Sequence, residues 1–161
     1  MTESRFLTTS SASKGYPATN VYSFRAGPRF AALVPNWQLA VQARLHELIR
    51  LENGWDGYEG QPVGFGNAVF AVRVLESICL GDTPAPSIVP GSTGDLQLEW
   101  HLPGGEIELH VRAPNDVHAW RCLTRAHPIE ETLVLSTDFS VIARWLRDLT
   151  EAPLAPHAAA A

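Results

Sequence analysis

The chain has 161 residues, of which 45% are hydrophobic and 18% are charged, and its formal net charge at pH 7 is −5. This length favours one domain over two separately packed cores, and the ordinary composition excludes a fibre and a fully disordered chain. The acidic balance argues against an extended phosphate-binding surface and therefore disfavours nucleic acid as the main partner.

The two ends of the sequence differ in composition from the middle. Residues 1–20 are rich in Ser and Thr and predict a flexible N-terminal arm, and residues 153–161 predict a disordered tail. Residues 21–152 then form a single domain, and residues 19–24 predict a short strand at its start. No segment approaches the roughly 20 apolar residues of a membrane span, and no secretory signal is evident.

Two helices are predicted in the first half of the domain. The first covers about 36–52, where apolar residues recur every three or four positions, with Asn36 as its cap and Asn53-Gly54 as its stop. The second covers about 67–80 and is apolar on most of its circumference, which predicts deeper burial.

The pattern then changes to the alternation typical of strands. Segments 96–102 and 105–112 both alternate apolar and polar residues, and Pro103-Gly104 between them favours a type II turn. If Leu102 pairs with Gly105, every apolar residue of the hairpin lies on one side of the sheet. A slip of one residue would move one whole set to the wrong face, so the pattern specifies the register.

Two further strands and a helix complete the predicted fold. A third strand over about 117–123 can place His118, Trp120 and Cys122 on the core side, and residues 132–135 predict a fourth. Asp138 would cap a closing helix over 139–150. The prediction is an α+β fold with two N-terminal helices, an antiparallel meander of three to four strands, and a C-terminal helix packed on one sheet face.

The polar side of the predicted hairpin is a candidate site. Its register places Glu99 directly opposite Glu108, and like charges so placed cost up to roughly 1 kcal/mol unless something offsets them. The candidates for that role are His101, His110, Arg112, Arg121, a divalent metal ion and water.

Glutamate and histidine together can bind zinc or manganese, and a close carboxylate pair can supply an acid and a base. One hypothesis is thus a metal-dependent hydrolase or nuclease that uses Glu99, Glu108, His101 and His110. The alternative is an ordinary solvated strand face without metal or cofactor.

A second candidate is the loop between the two helices, in which Trp55, Asp56 and Tyr58 are separated by glycines. In one interpretation Asp56 accepts backbone N–H bonds and the two aromatic rings act as wedges that hold the helices on the sheet. In the other, the rings are anchors for a partner protein.

The segments LENGWDGYEGQPV and PSIVPGSTGDLQLEWHLPGGEIELHV carry a resemblance to a family. They are similar to a group of uncharacterised small bacterial and phage-associated proteins with a W-D-G-Y loop and a downstream L-E-W strand motif. This chain departs from their pattern at Gly54, at Glu59 and at Gly94-Asp95. The resemblance implies a shared fold and a mobile-element setting.

The sequence therefore favours a cytoplasmic, non-enzymatic module that binds another protein, such as an accessory or neutralising protein of the antitoxin or immunity type. It lacks the motifs of covalent catalysis and of phosphate binding. The expected partner-binding residues are Trp55, Asp56, Tyr58, Glu99, Glu106 and Glu108.

Overall fold

A computed structural model describes residues 35–124 and 128–151, all of which belong to the unit that spans residues 32–161. The predicted arm, the strand over 19–24 and the tail lie outside the described residues. The elements are α1 Asn36–Leu48, α2 Phe65–Ile78, β1 Ser87–Pro90, β2 Leu96–Leu102, β3 Gly105–Ala113, β4 Asp116–Leu123, β5 Ile129–Leu135 and α3 Ser140–Thr150.

The α+β class and the antiparallel meander are confirmed, but the sheet has five strands in the order β1-β2-β3-β4-β5 rather than three or four. The additional strand, β1, has only four residues next to a proline-rich connection, too few to show alternation. The last strand, β5, begins at Ile129, ahead of the predicted start at 132.

The hairpin of β2 and β3 has the predicted register, with Leu102 opposite Gly105 and Trp100 opposite Ile107. The apolar side is buried, and Trp100 is only 2% exposed. Its indole N–H donates to the carbonyl of Pro84 at 2.9 Å, so the ring also holds the connection before β1. Glu99 and Glu108 are direct register partners on the opposite side.

The turn of this hairpin differs from the predicted type II turn, which needs a positive φ at Gly104. The positive φ falls instead at Gly105, where it is 146°. A Cβ atom there would lie 2.2 Å from the carbonyl oxygen of Cys122 on β4. Gly105 therefore allows the start of β3 to approach β4 closely.

The predicted orientation of the third strand was wrong. Val111 pairs with Val117, so the buried residues of β4 are Val117, Ala119 and Leu123, and His118, Trp120 and Cys122 lie on the opposite face. The pairing shifts register between Val111 and Ala113, beside the turn at Asn115. Because β4 has apolar residues at both parities, alternation alone could not orient it.

The three helices cover one face of the sheet, and their apolar sides join the inner face in one core. Helix α1 ends at Leu48 rather than near 52, since the Leu48 carbonyl also accepts the N–H of Val63 at 3.2 Å. Its N-cap is Pro35, so Asn36 is the first helical residue and not the cap. The N-cap of α3 is Phe139 and not the predicted Asp138, whose carboxylate accepts the N–H of Ser140 at 2.9 Å.

Arg121 lies on the helix side of β4, away from Glu99 and Glu108. Its guanidinium stacks over the Trp145 ring, 4.6 Å from the centroid, and forms ion pairs with Glu131 and Asp148. Its side chain is only 13% exposed. Arg121 thus joins β4, β5 and α3 and does not offset the facing glutamates.

Within residues 35–124 and 128–151, no helix has the length and apolar character needed to cross a membrane.

The close contact at Gly105 gives the first prediction. We expect Gly105→Ala to destabilise the protein by roughly 2–4 kcal/mol, because it combines an unfavourable φ with a clash against β4. Gly81→Ala is the matched control, since a Cβ there meets no atom within 4 Å. Urea denaturation measures both, and equal stabilities would contradict the described turn.

Candidate functional site

The strand positions that point away from the helices form a surface that we call the polar sheet face. No described helix covers it, and its central residues come from the predicted hairpin and from β4. Its members are Ser87, Val89, Gln97, Glu99, His101, Glu106, Glu108, His110, Arg112, His118, Trp120, Cys122, Glu130, Thr132 and Val134.

One half of this face is acidic and includes an aromatic ring. The register places Glu99, Glu108 and Trp120 side by side on successive strands. Two residues further along the strands, Glu106, Cys122 and Glu130 form a second row across β3, β4 and β5. Adjacent side chains in such rows stand about 5 Å apart. We call Glu99, Glu106, Glu108 and Glu130 with the half-buried Trp120 the acidic patch.

His101 is the basic group within this half. Its Nε2 lies 3.5 Å from a Glu99 carboxylate oxygen, and its Nδ1 lies 3.4 Å from one of Glu106. Hydrogen bonds from the ring to Glu106 and then to Glu99 raise the pKa of His101. One histidine therefore faces an excess of carboxylates, and the patch keeps a negative charge at neutral pH.

The other half of the face has its charges paired. His110 bonds to Asp95, and Arg112 approaches both His118, at 3.1 Å, and Asp116, at 3.9 Å. Partial burial raises the pKa of Asp95, but hydrogen bonds from Thr93 and His110 outweigh it and lower that pKa to about 2. This half thus offers little free charge to a partner.

The four residues of the metal hypothesis do not converge. Glu99 and Glu108 are adjacent, but His101 pairs with Glu106 and His110 pairs with Gln97. The two histidines therefore lie four positions apart along the hairpin, about 13 Å at strand spacing. In the part of the chain that the structure describes, no group of three or more His, Cys, Asp or Glu residues is arranged to hold a metal ion.

The W-D-G-Y loop is closed by its own hydrogen bonds. An Asp56 oxygen accepts the N–H groups of Tyr58 and Gly60 at 2.9 and 3.0 Å, and these two bonds lower the pKa of Asp56. Gly60 packs so closely that a Cβ there would lie 2.7 Å from the Asp56 carboxyl carbon. The indole of the half-buried Trp55 donates to the carbonyl of Gln61 at 2.9 Å.

Tyr58 differs from its two neighbours in the loop, because it is 86% exposed. It is therefore not a wedge between helices and sheet, contrary to the structural interpretation of the sequence. Trp55 and Asp56 are engaged within the loop, so Tyr58 is the aromatic ring that the loop presents to solvent.

The loop is attached to the turn that precedes β2. The N–H of Gln61 donates to Ser92 at 2.9 Å, and the N–H of Gly64 donates to Gly94 at 2.8 Å. The turn is itself held by Asp95, which accepts the N–H and the hydroxyl of Thr93. The W-D-G-Y loop and the segment that leads into the hairpin therefore contact one another.

Sequence reasoning missed Trp120 and Glu130 as members of the polar sheet face. Both omissions follow from the orientation of β4, which also sets the orientation of β5. The signal that could have found them is the buried pair Val117 and Ala119, whose alternation points Trp120 outward.

Comparison with known proteins found no matching family model, curated protein or solved structure.

The loop gives a prediction about stability. We expect Asp56→Ala to lower the melting temperature by several degrees, because two backbone N–H groups lose their acceptor. Tyr58→Ala is the control in the same loop and should leave the melting temperature unchanged. Thermal unfolding followed by circular dichroism compares them, and an unchanged melting temperature for Asp56→Ala would refute the structural role of its carboxylate.

His101 gives a prediction about pH. Because its folded pKa is raised, its ion pairs stabilise the protein below the ordinary histidine pKa and are lost as the pH rises through the raised value. An NMR titration of the ring should show a pKa above the ordinary value, and Glu106→Gln should lower it. Glu76→Gln on α2 is the control, and an equal effect of both variants would contradict the described ion pair.

Proposed function

We propose that the protein is a non-enzymatic interaction module whose acidic patch binds a basic surface of another protein. One observation carries this proposal: the half-buried Trp120 has Glu108 directly beside it and Glu106 and Glu130 diagonal to it, with Glu99 next to Glu108, on a sheet face that no described helix covers. An aromatic ring with acidic neighbours is typical of a recognition surface, since Trp is enriched among the residues that dominate binding energy.

The chemistry of the patch favours a cationic partner. A lysine or arginine side chain can lie over the Trp120 ring while its charge pairs with Glu108, the direct neighbour of that ring. The net charge of −5 also attracts a basic protein from a distance and accelerates its association.

A similar contact occurs within the protein, on the helix side of the sheet. Arg121 stacks over Trp145 with Glu131 and Asp148 as its acidic partners. The acidic patch presents the same combination of indole and carboxylates, but the described residues supply no arginine to it. A partner's arginine would complete the arrangement.

A neutralising role fits this chemistry. Toxins and nucleases that act on phosphate-bearing substrates carry basic sites, and an acidic module can cover such a site by charge complementarity. The resemblance of the W-D-G-Y and L-E-W segments points to the same setting, an accessory or immunity-like protein of a mobile element. Tyr58, exposed in the loop, is a second candidate anchor.

The test compares charge reversals on and off the patch. Wild type, Glu106→Lys/Glu130→Lys and Glu52→Lys/Glu76→Lys are each immobilised and exposed to native-host lysate, and the captured protein is then purified and titrated. The two double variants change the net charge equally, and all four glutamates are exposed. Only the first pair alters the acidic patch.

We expect a basic companion that binds wild type and the Glu52→Lys/Glu76→Lys control with similar affinity. The patch variant should bind about tenfold more weakly or worse at low salt, because its lysines face the partner's positive charge. Equal binding by both double variants, or a companion without a basic surface, would refute the proposed site.

A further inference from the structure

The two edges of the sheet differ in how they are protected. Unpaired N–H and C=O groups along an edge strand can pair with another chain, and proteins commonly block them with prolines, lysines, bulges or covering elements. The edges of the described sheet are β1 and β5.

The β1 edge is blocked in three ways. The strand is four residues long and ends at Pro90, which has no N–H to donate. Helix α1 packs beside it, and Arg44 of that helix donates to the Ile88 carbonyl at 3.2 Å. Little of this edge is open to a further strand.

The β5 edge is less protected, and its one inward-pointing charge, Glu131, is paired with Arg121. The strand has seven residues without proline or lysine, and its pairing with β4 is regular from one end to the other. Ile129 and Val134 are 44% and 69% exposed. Among the described residues, no strand pairs with the far side of β5.

The sequence of β5 is complementary to itself in one antiparallel register. When Thr132 faces Thr132 of a second copy, all seven residues pair, and Glu130 faces Val134 while Glu131 faces Leu133. No two charges are opposed, and Glu131 is already paired with Arg121. A two-fold axis at Glu131 in place of Thr132 would put two glutamates opposite each other, which is unfavourable. An axis at Leu133 would leave residues of the strand unpaired.

We infer that two copies of this chain associate through antiparallel pairing of their β5 strands about Thr132. The two five-stranded sheets then form one continuous sheet of ten strands, with all helices on one side and both acidic patches on the other. This inference concerns the strand edge and does not depend on the proposed partner of the patch.

A pair of lysine substitutions tests the register. In Thr132→Lys the two-fold axis places two lysines opposite each other, which weakens the dimer. In Val134→Lys each lysine faces Glu130 of the second copy and creates two new ion pairs, which strengthens it. Both positions are exposed on the same side of the same strand, so the substitutions are closely matched in the monomer.

Analytical ultracentrifugation over a range of concentrations measures the dissociation constant of each form. We expect wild type to approach twice the 17.6 kDa mass of the chain as its concentration rises. The constant should rise by roughly two- to fivefold in Thr132→Lys and fall by a similar factor in Val134→Lys. Hydrogen exchange should show that the β5 amides gain protection with concentration.

A wild-type protein that remains at the monomer mass at the highest concentration would overturn the inference. This holds even if another segment of the chain covers the β5 edge. Lysines that shift the constant in the same direction would also overturn the inference. The melting temperature of each variant, measured at low concentration, checks that the monomer remains folded.

Discussion

The pairing of β2 with β3 is the constraint on which the rest of the structure depends. It is antiparallel and in register over seven residue pairs, and it places Leu98, Trp100 and Ile107 in the core with 2% exposure or less. Because side chains alternate between faces, the same pairing forces Glu99 and Glu108 together on the other side. The burial of the apolar set therefore sets the charge pattern of the polar sheet face.

Both faces of the sheet combine an indole ring with carboxylates, but among the described residues only the helix side has the arginine that binds them. On the helix side, the charge of Arg121 is satisfied by an indole and two carboxylates that the protein supplies itself. On the polar side, Glu108 lies directly beside Trp120, Glu106 and Glu130 lie diagonally to it, and His101 contacts Glu99 and Glu106. The first arrangement stabilises the contact of β4 and β5 with α3, and the second leaves charge available for an external ligand.

The W-D-G-Y loop has a structural role that explains most of its unusual composition. Asp56 closes the loop, Trp55 anchors its end at Gln61, and Gln61 and Gly64 attach it to the turn before β2. This turn precedes the hairpin, so the loop supports the same register from which the acidic patch arises. Tyr58 is the aromatic residue that projects from it.

Local pattern determined much of this protein by itself: the α+β class, the three helices within a few residues, and the hairpin register with its facing glutamates. These features follow from apolar periodicity and turn residues, which act over a few positions of the chain. The tertiary structure alone decided the orientation of β4, the existence of β1 and the contacts of Arg121. In β4 both faces carry apolar residues, so its orientation was settled by pairing with β3 through Val111 and Val117, and only that pairing brings Trp120 beside Glu108.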